Sequence, residues 1–265
     1  MIEPLLKDDA LLESIRSTDR QSEHFYLWWL GQSGFLIQWQ GHHLLLDPYL
    51  SDSLTLKYAS TDKPHIRMTK RAINPLSLNF IDVVTSSHNH TDHLDAATLI
   101  PLMKINPRMQ LIVPRANLEF VCERLHCDKD YPTTINDGEV TSAGPFTFRG
   151  VPAAHNELDR DDAGNCRYMG YIINFGPWTV YHSGDTLWYQ GMEKILQPFK
   201  PDLALLPING NRPERSVAGN LDGQEAAQLA KAIEAKMVIP CHYDMFTFNT
   251  ADPDVFRTAA EKINQ

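Results

Sequence analysis

His88, His90, Asp92 and His93 lie within a six-residue span of SSHNHTDHLD, residues 86–95. Imidazole nitrogens and carboxylate oxygens are the donors that divalent transition metals take from proteins. A lone histidine is most often a packed or surface residue, and HxH alone is a weak signal. Four such donors in HxHxDH, directly after the apolar run FIDVV, are hard to explain structurally. In an extended segment alternate residues project to one side. His88, His90 and Asp92 are then expected to face one point and His93 another, so that one short loop feeds two ions. The spacing differs from the helical HExxH arrangement, where ligands four apart share a helix face.

Three further donors each follow a predicted strand: His155 in VPAAHNE, Asp185 in YHSGDT and His242 in IPCHYD. Together the candidates number seven nitrogen and oxygen ligands, enough for two ions with positions left open for water. A donor set without thiolate suits zinc, manganese or iron(II). Cys241 neighbours His242, but a strand directs the two side chains to opposite sides.

The elements that must position these residues are legible as periodicity. Residues 25–30, 34–39 and 43–46 are short apolar or alternating runs separated by Gly31 and Gly41, the pattern of an antiparallel meander over 25–47. From Tyr49 to Asn79 the pattern dissolves into a polar segment carrying Lys63, His65, Arg67, Lys70 and Arg71. After a strand near Phe80 to Ser86, Asp95 is placed to cap a helix running to about Met103, with Pro101 awkward near its end. A strand at 110–113 and a helix over 115–125 follow. The Asn136-Asp-Gly138 turn opens a second series of strands at 146–151, 168–175 and 178–182, then strands at 202–206 and 236–239 with a helix over 224–235 between them. Each half runs strands first, then a strand ending in polar residues, then helix and strand. This predicts one two-sheet domain over 1–265 with helices outside, built from two similar halves.

Composition sets the outer limits. The chain has 265 residues, 43% hydrophobic and 22% charged, as ordinary folded proteins do, so disorder and fibrous architectures are excluded. The longest apolar stretches are too short for a membrane span. The N-terminal MIEPLLKDDALLESIRS lacks the basic start and continuous apolar centre of a secretory signal, and a cytoplasmic location is the default expectation. Four irregularly spaced cysteines, Cys122, Cys127, Cys166 and Cys241, read as free thiols. A net charge of −9 opposes attraction to nucleic acid or an anionic membrane, though not to an anionic small molecule. Exposed strand edges and the amphipathic N-terminal segment would allow a homo-oligomer.

SSHNHTDHLD, His155, the SGDT around Asp185 and His242 resemble the metal motifs of the metallo-β-lactamase superfamily, over nearly the whole chain. More narrowly, WWLGQSGFLIQ, LLLDPYLSDS, YHSGDTLWY, INGNRPERSVAGN and VIPCHYDMF are similar to the L-ascorbate-6-phosphate lactonase branch. HNHTDHLD and SGDT also resemble the phospholipase D-like branch that cleaves N-acyl-phosphatidylethanolamines. The resemblance implies an α+β fold, a four-layer αββα sandwich with two divalent ions, zinc or manganese and compatibly iron, at one edge. It implies that His88, His90 and His155 hold the first ion, that Asp92, His93 and His242 hold the second, and that Asp185 bridges them. Asp47, ending LLLD, matches the superfamily's first motif, whose aspartate supports the metal shell; a turn aspartate before Pro48 is the plain alternative.

The chemistry this implies is hydrolysis, with Asp185 in the centre and Asp92 also carrying a proton to the leaving group. Asn209, Arg212 and Arg215, in the loop NGNRPER after a predicted strand, would contact a small anionic substrate, two guanidiniums gripping a phosphate or carboxylate; a solvated loop paired to Glu214 is the alternative. Trp188 and Tyr189 either line a pocket or pack. The basic stretch 63–71 either covers an anionic substrate or is a solvated loop. A lactonase attacks carbon and a phosphodiesterase phosphorus, with the same two ions. A redox di-iron protein of this fold would carry a carboxylate where His90 stands, and a non-catalytic relative would have lost ligands.

Overall fold

Strand polarity repeats along the chain, and it brings the ends of the functional strands to common edges. The computed structural model describes all residues, Met1–Gln265, as two compact units. One comprises Met1–Val113, Leu118–Thr133 and Asp244–Phe248; the other comprises Pro114–Asn117, Thr134–Tyr243 and Asn249–Gln265.

The first unit opens with helix α1 (Asp8–Arg16), which buries Leu11, Leu12 and Ile15 on one face. Strands β1 (Tyr26–Gly31), β2 (Gly34–Trp39) and β3 (His42–Leu46) form the expected antiparallel meander. Its second turn places Gln40 and Gly41 at φ 49° and 81°, as a tight hairpin with the native twist requires. Helix α2 (Ser53–Lys57) interrupts the polar segment, and β4 (Val83–Thr85) follows, parallel to β3 with Leu46 opposite Thr85. Helix α3 (Ala96–Ile105), strand β5 (Gln110–Pro114), helix α4 (Leu118–Leu125) and strand β6 (Pro132–Ile135) complete the series, with sheet order β1-β2-β3-β4-β5-β6. Strands β3 to β5 are apolar almost throughout, as parallel strands covered on both faces must be.

The second unit carries β7 (Val140–Ala143), β8 (Phe146–Pro152), β9 (Met169–Phe175) and β10 (Trp178–His182), paired antiparallel in sequence. Helix α5 (Met192–Leu196), β11 (Leu203–Pro207), helix α6 (Gly223–Ala232), β12 (Val238–Cys241) and helix α7 (Pro253–Ile263) follow. β11 lies parallel to both β10 and β12, giving the order β12-β11-β10-β9-β8-β7. Three antiparallel strands followed by two parallel ones recur as β1 to β5 and β8 to β12, with β7 as a fourth antiparallel strand, in keeping with the two similar halves of the sequence pattern. A capping box starts α6: Asp222 accepts from the Gln224 and Glu225 amides at 2.8 Å, and Glu225 accepts from the Asp222 amide at 3.0 Å.

Several boundaries differ from expectation. The strand before the histidine cluster is only Val83–Thr85; Asp82 just ahead of it accepts at its carboxylate from the His43 amide at 2.8 Å, while its own amide donates to His43 O at 3.0 Å. Helix α3 runs through Pro101 to Ile105; Asn106 ends it, its side chain donating to Leu102 O at 3.0 Å and Leu78 O at 2.8 Å. The helix expected over 115–125 begins as a 3-10 turn at Arg115–Asn117. Strands β6 and β7, PTTI and VTSA, escape periodicity because both are short, polar sheet margins. No helix is long and apolar enough to cross a membrane.

Candidate metal centre

In the first unit the donors follow the ends of β3 and β4. Asp47 directly follows β3, and the loop after β4 carries His88, His90, Asp92 and His93. The expectation that this loop is extended is corrected here. Residues 87–93 run through bends and turns, and the backbone bonds to itself: the His93 and Leu94 amides donate to His90 O at 3.1 and 2.8 Å. Curling gathers the side chains in place of alternation. The His88 ring lies 4.6 Å from that of His90 and 4.1 Å from that of His93, and a ligand nitrogen of His88 lies within 4.8 Å of one on each neighbour.

Asp47 holds this loop from behind. Its φ of 38° is left-handed, a strained value where proline follows and an extended backbone is favoured, and its carboxylate is wholly buried. Oδ1 accepts from the Thr85 hydroxyl and the Ser87 amide, each at 3.0 Å, and Oδ2 accepts from the Ser87 hydroxyl and from His93 Nδ1, the latter at 2.8 Å. A proton on Nδ1 leaves Nε2 as the lone-pair nitrogen of His93, and that atom faces Asp92 Oδ2 at 3.7 Å. His88 Nδ1 pairs with the Ser87 hydroxyl at 3.0 Å. Asp92 Oδ2 also accepts from the Gln32 side-chain amide at 2.8 Å. Arg124 of α4 donates to the loop carbonyls of Asn89 at 2.7 Å and Leu94 at 3.2 Å, its guanidinium lying over the Phe120 ring.

In the second unit, strand direction sends the ends of β8, β10, β11 and β12 to one edge. His155, Asp185, Asn209 and His242 each lie one to three residues beyond those ends. His155 Nδ1 donates to Gly219 O at 2.9 Å, so the neutral ring presents an Nε2 lone pair, 3.7 Å from Asp185 Oδ2. His242 Nε2 approaches the same oxygen at 3.2 Å. All three side chains are buried, Asp185 3% exposed.

These residues fit a divalent cation. An imidazole lone pair and a carboxylate oxygen are both acceptors, and at 3.7 Å they repel unless something positive lies between them. Ligands about 2.1 Å from one tetrahedral ion are separated by roughly 3.4 Å. The distances of 3.7 Å at His93–Asp92 and of 3.7 and 3.2 Å at Asp185 bracket that value. Asp185 meets two imidazoles through one oxygen, Oδ2.

The loop after β11 is held internally. Arg215 donates from Nη1 to Asn209 O and to Asn249 Oδ1, and from Nη2 to Thr250 O at 2.7 Å. Burial lowers its pKa, against the opposing influence of Glu214. Asn209 donates to Asn249 Oδ1 at 2.9 Å and accepts from Asn220 at 3.0 Å, while Arg212 is exposed. Trp188 donates to Glu193 at 3.1 Å and Tyr189 to Pro152 O at 2.8 Å, and both pack on the core of their unit. In the basic stretch, Arg67 is tied to Asp52 at 2.7 Å and lies over the Tyr49 ring, and His65 stacks on Tyr58 with ring centroids 4.2 Å apart.

Ser87, Gln32, Arg124 and Gly219 escaped the sequence reading. Ser87 alone carried a signal, a second polar residue at the strand end. The others reach the donors from distant turns and helices.

A family model described as a β-lactamase superfamily domain matches residues 26–242. The chain is 31% identical over 240 residues to a UPF0173 metal-dependent hydrolase of Desulforamulus reducens, covering 89% of this chain and 92% of that one. It is 28% identical over 238 residues to a UPF0173 metal-dependent hydrolase of Caldivirga maquilingensis, covering 90% of each. Among solved structures, isothiocyanate hydrolase from Delia radicum gut bacteria matches with a TM-score of 0.70 at 19% identity, over 91% of this chain and 93% of that one, a likeness of fold.

Proposed function

The chain belongs to the β-lactamase superfamily domain family and has the metallo-β-lactamase fold, and on that premise we propose that it is a metal-dependent hydrolase whose donors serve one binuclear centre. In this reading His88, His90 and His155 hold one ion, Asp92, His93 and His242 hold the other, and Asp185 bridges them. The observation that carries it is the Asp185 carboxylate, one oxygen of which faces two imidazole nitrogens at ligand-to-ligand distance. Relatives named metal-dependent hydrolases support the hydrolase part of the reading.

When bound, two divalent ions, zinc or manganese with iron(II) compatible, supply a water acidified to near neutrality and polarise the bond attacked. The protein's part is orientation and proton transfer. Asp47 and the Gly219 carbonyl fix His93 and His155 with Nε2 as the donor atom. Asp92, whose side chain is 16% exposed, has access to solvent and carries the proton towards the leaving group.

The proposed reaction opens a lactone or carboxylic ester in a small anionic, phosphorylated sugar-like substrate. Arg212, exposed on a loop that Arg215 and Asn209 hold in place, supports an anion grip there. The second reading, a phosphodiesterase resembling the N-acyl-phosphatidylethanolamine phospholipase D branch, uses the same donors and attacks phosphorus. A panel of sugar-phosphate lactones, acyl-homoserine lactones, cyclic nucleotides and phosphodiesters, run with zinc and with manganese, separates them. Turnover of lactones, lost in His88→Ala and Asp185→Ala with unchanged circular dichroism, is expected. Turnover of phosphodiesters alone moves the assignment to the second reading, and activity retained in either variant contradicts the centre.

A further inference from the structure

The turn between β1 and β2 holds a residue that turn geometry alone would not choose. Gly31 and Gln32 lie at φ 99° and 53°, left-handed values that a non-glycine residue adopts only with strain. Glycine or asparagine is the usual solution in such hairpins. Gln32 instead carries a long side chain that is buried, the residue being 1% exposed, and burial adds the loss of rotamer freedom. The indole N–H of Trp29 donates to Gln32 O at 2.9 Å and clamps the strained backbone. From there the side-chain amide crosses to the metal loop and donates to Asp92 Oδ2 at 2.8 Å.

We infer that Gln32 is a positioning residue of the metal centre, whose amide sets the rotation of the Asp92 carboxylate and with it the affinity for one of the two ions. This rests on the reading of Asp92 as a ligand. Rotation about the last bond of aspartate is broad, so a carboxylate with one solvent-facing side is poorly oriented by packing alone. A hydrogen bond to one oxygen fixes its plane. The donor has to be neutral, because an arginine or lysine would offset the charge that attracts the cation. Asp92 and His93 are thereby each held by a hydrogen bond: Gln32 donates to Oδ2, the carboxylate oxygen that also faces His93 Nε2, and Asp47 accepts from His93 Nδ1 on the other side of the imidazole.

Gln32→Asn separates this role from a structural one. Asparagine suits the left-handed turn better than glutamine, yet its amide is shorter by about one bond length and cannot reach Asp92. Gln32→Met, similar in length without a donor, is the second variant. Metal-free wild type and variants are titrated with Co²⁺, followed by calorimetry and visible absorption, and apo-protein melting is recorded alongside. Wild type is expected to take two ions; in both variants one ion binds roughly 10- to 100-fold more weakly with altered absorption bands, while apo Gln32→Asn melts no lower than wild type. Two ions bound with unchanged affinity and spectrum in both variants overturn the inference and leave the binuclear centre standing. Weakening of both ions together with lower apo-protein melting also overturns it, in favour of a structural role. Fewer than two ions in the wild type overturn the binuclear reading and this inference with it.

Discussion

Asp47 and Asp185 are both buried carboxylates that meet imidazoles, and they do so from opposite sides. Asp47 accepts from His93 Nδ1, whereas Asp185 faces the Nε2 atoms of His155 and His242. The first arrangement is complete without a cation; the second calls for one. Truncating Asp47 leaves the buried Ser87 amide without this acceptor and releases the His93 ring. Asp47→Ala is therefore expected to lower metal affinity roughly 10- to 100-fold and to destabilise the fold by about 1–3 kcal/mol, read by calorimetric titration and denaturant unfolding. The donors themselves were legible in the sequence because histidine and aspartate at such density have few structural uses. How they converge was not: alternation along an extended strand was the wrong rule for a loop whose His93 and Leu94 amides bond back to His90. Gln32, sixty positions before Asp92, was invisible because glutamine in a hairpin turn carries no chemical signature on its own.

At the scale of elements, strand polarity does most of the placing. A donor loop follows the C-terminal end of β4, β8, β10 and β12, and these ends could be read from the apolar runs that precede them. Helix contacts could not. Arg124 projects from α4 to two carbonyls of the metal loop, a contact that depends on how α4 lies and not on the sequence beside the histidines. Arg124→Met keeps the aliphatic packing over Phe120 and removes those donors; a loss of about 1–3 kcal/mol in stability with weakened metal binding is expected, and unaltered binding would assign Arg124 to packing alone. Strand β3 supplies a pH-dependent term. Burial pushes the His43 imidazole down to about 4 from 6.5, although Asp82 pulls upward; Arg20 and His42 add to the depression. Between those values the unfolded chain binds a proton that the folded chain does not. Stability is thus expected to fall as pH drops from about 6.5 to about 4, by on the order of 2 kcal/mol from this group, and to level off below. His43→Gln should flatten that part of the stability profile relative to wild type; parallel profiles would refute it.

For the whole molecule, the sequence pattern anticipates two similar halves, each running strands first and then helix and strand, and both sheets follow that order, with the parallel pairing of the later strands not legible in it. It fell short at the margins, where β6 and β7 hold too few apolar residues to show a period. What the fold leaves to the metal is the compensation of negative charge at Asp92 and at the buried Asp185, so bound ions should stabilise the native state by mass action. Ions at about a hundredfold excess over their dissociation constants add about 2.7 kcal/mol per site. Thermal unfolding after exhaustive chelation is expected to begin several degrees lower than after reconstitution, and equal melting would deny the ions that stabilising role. The most direct test of the binuclear centre is elemental analysis of protein purified without added metal or chelator and then reconstituted with zinc or manganese. Two ions per chain, reduced in Asp185→Ala, is the predicted result; one ion or none per reconstituted wild-type chain would contradict the account.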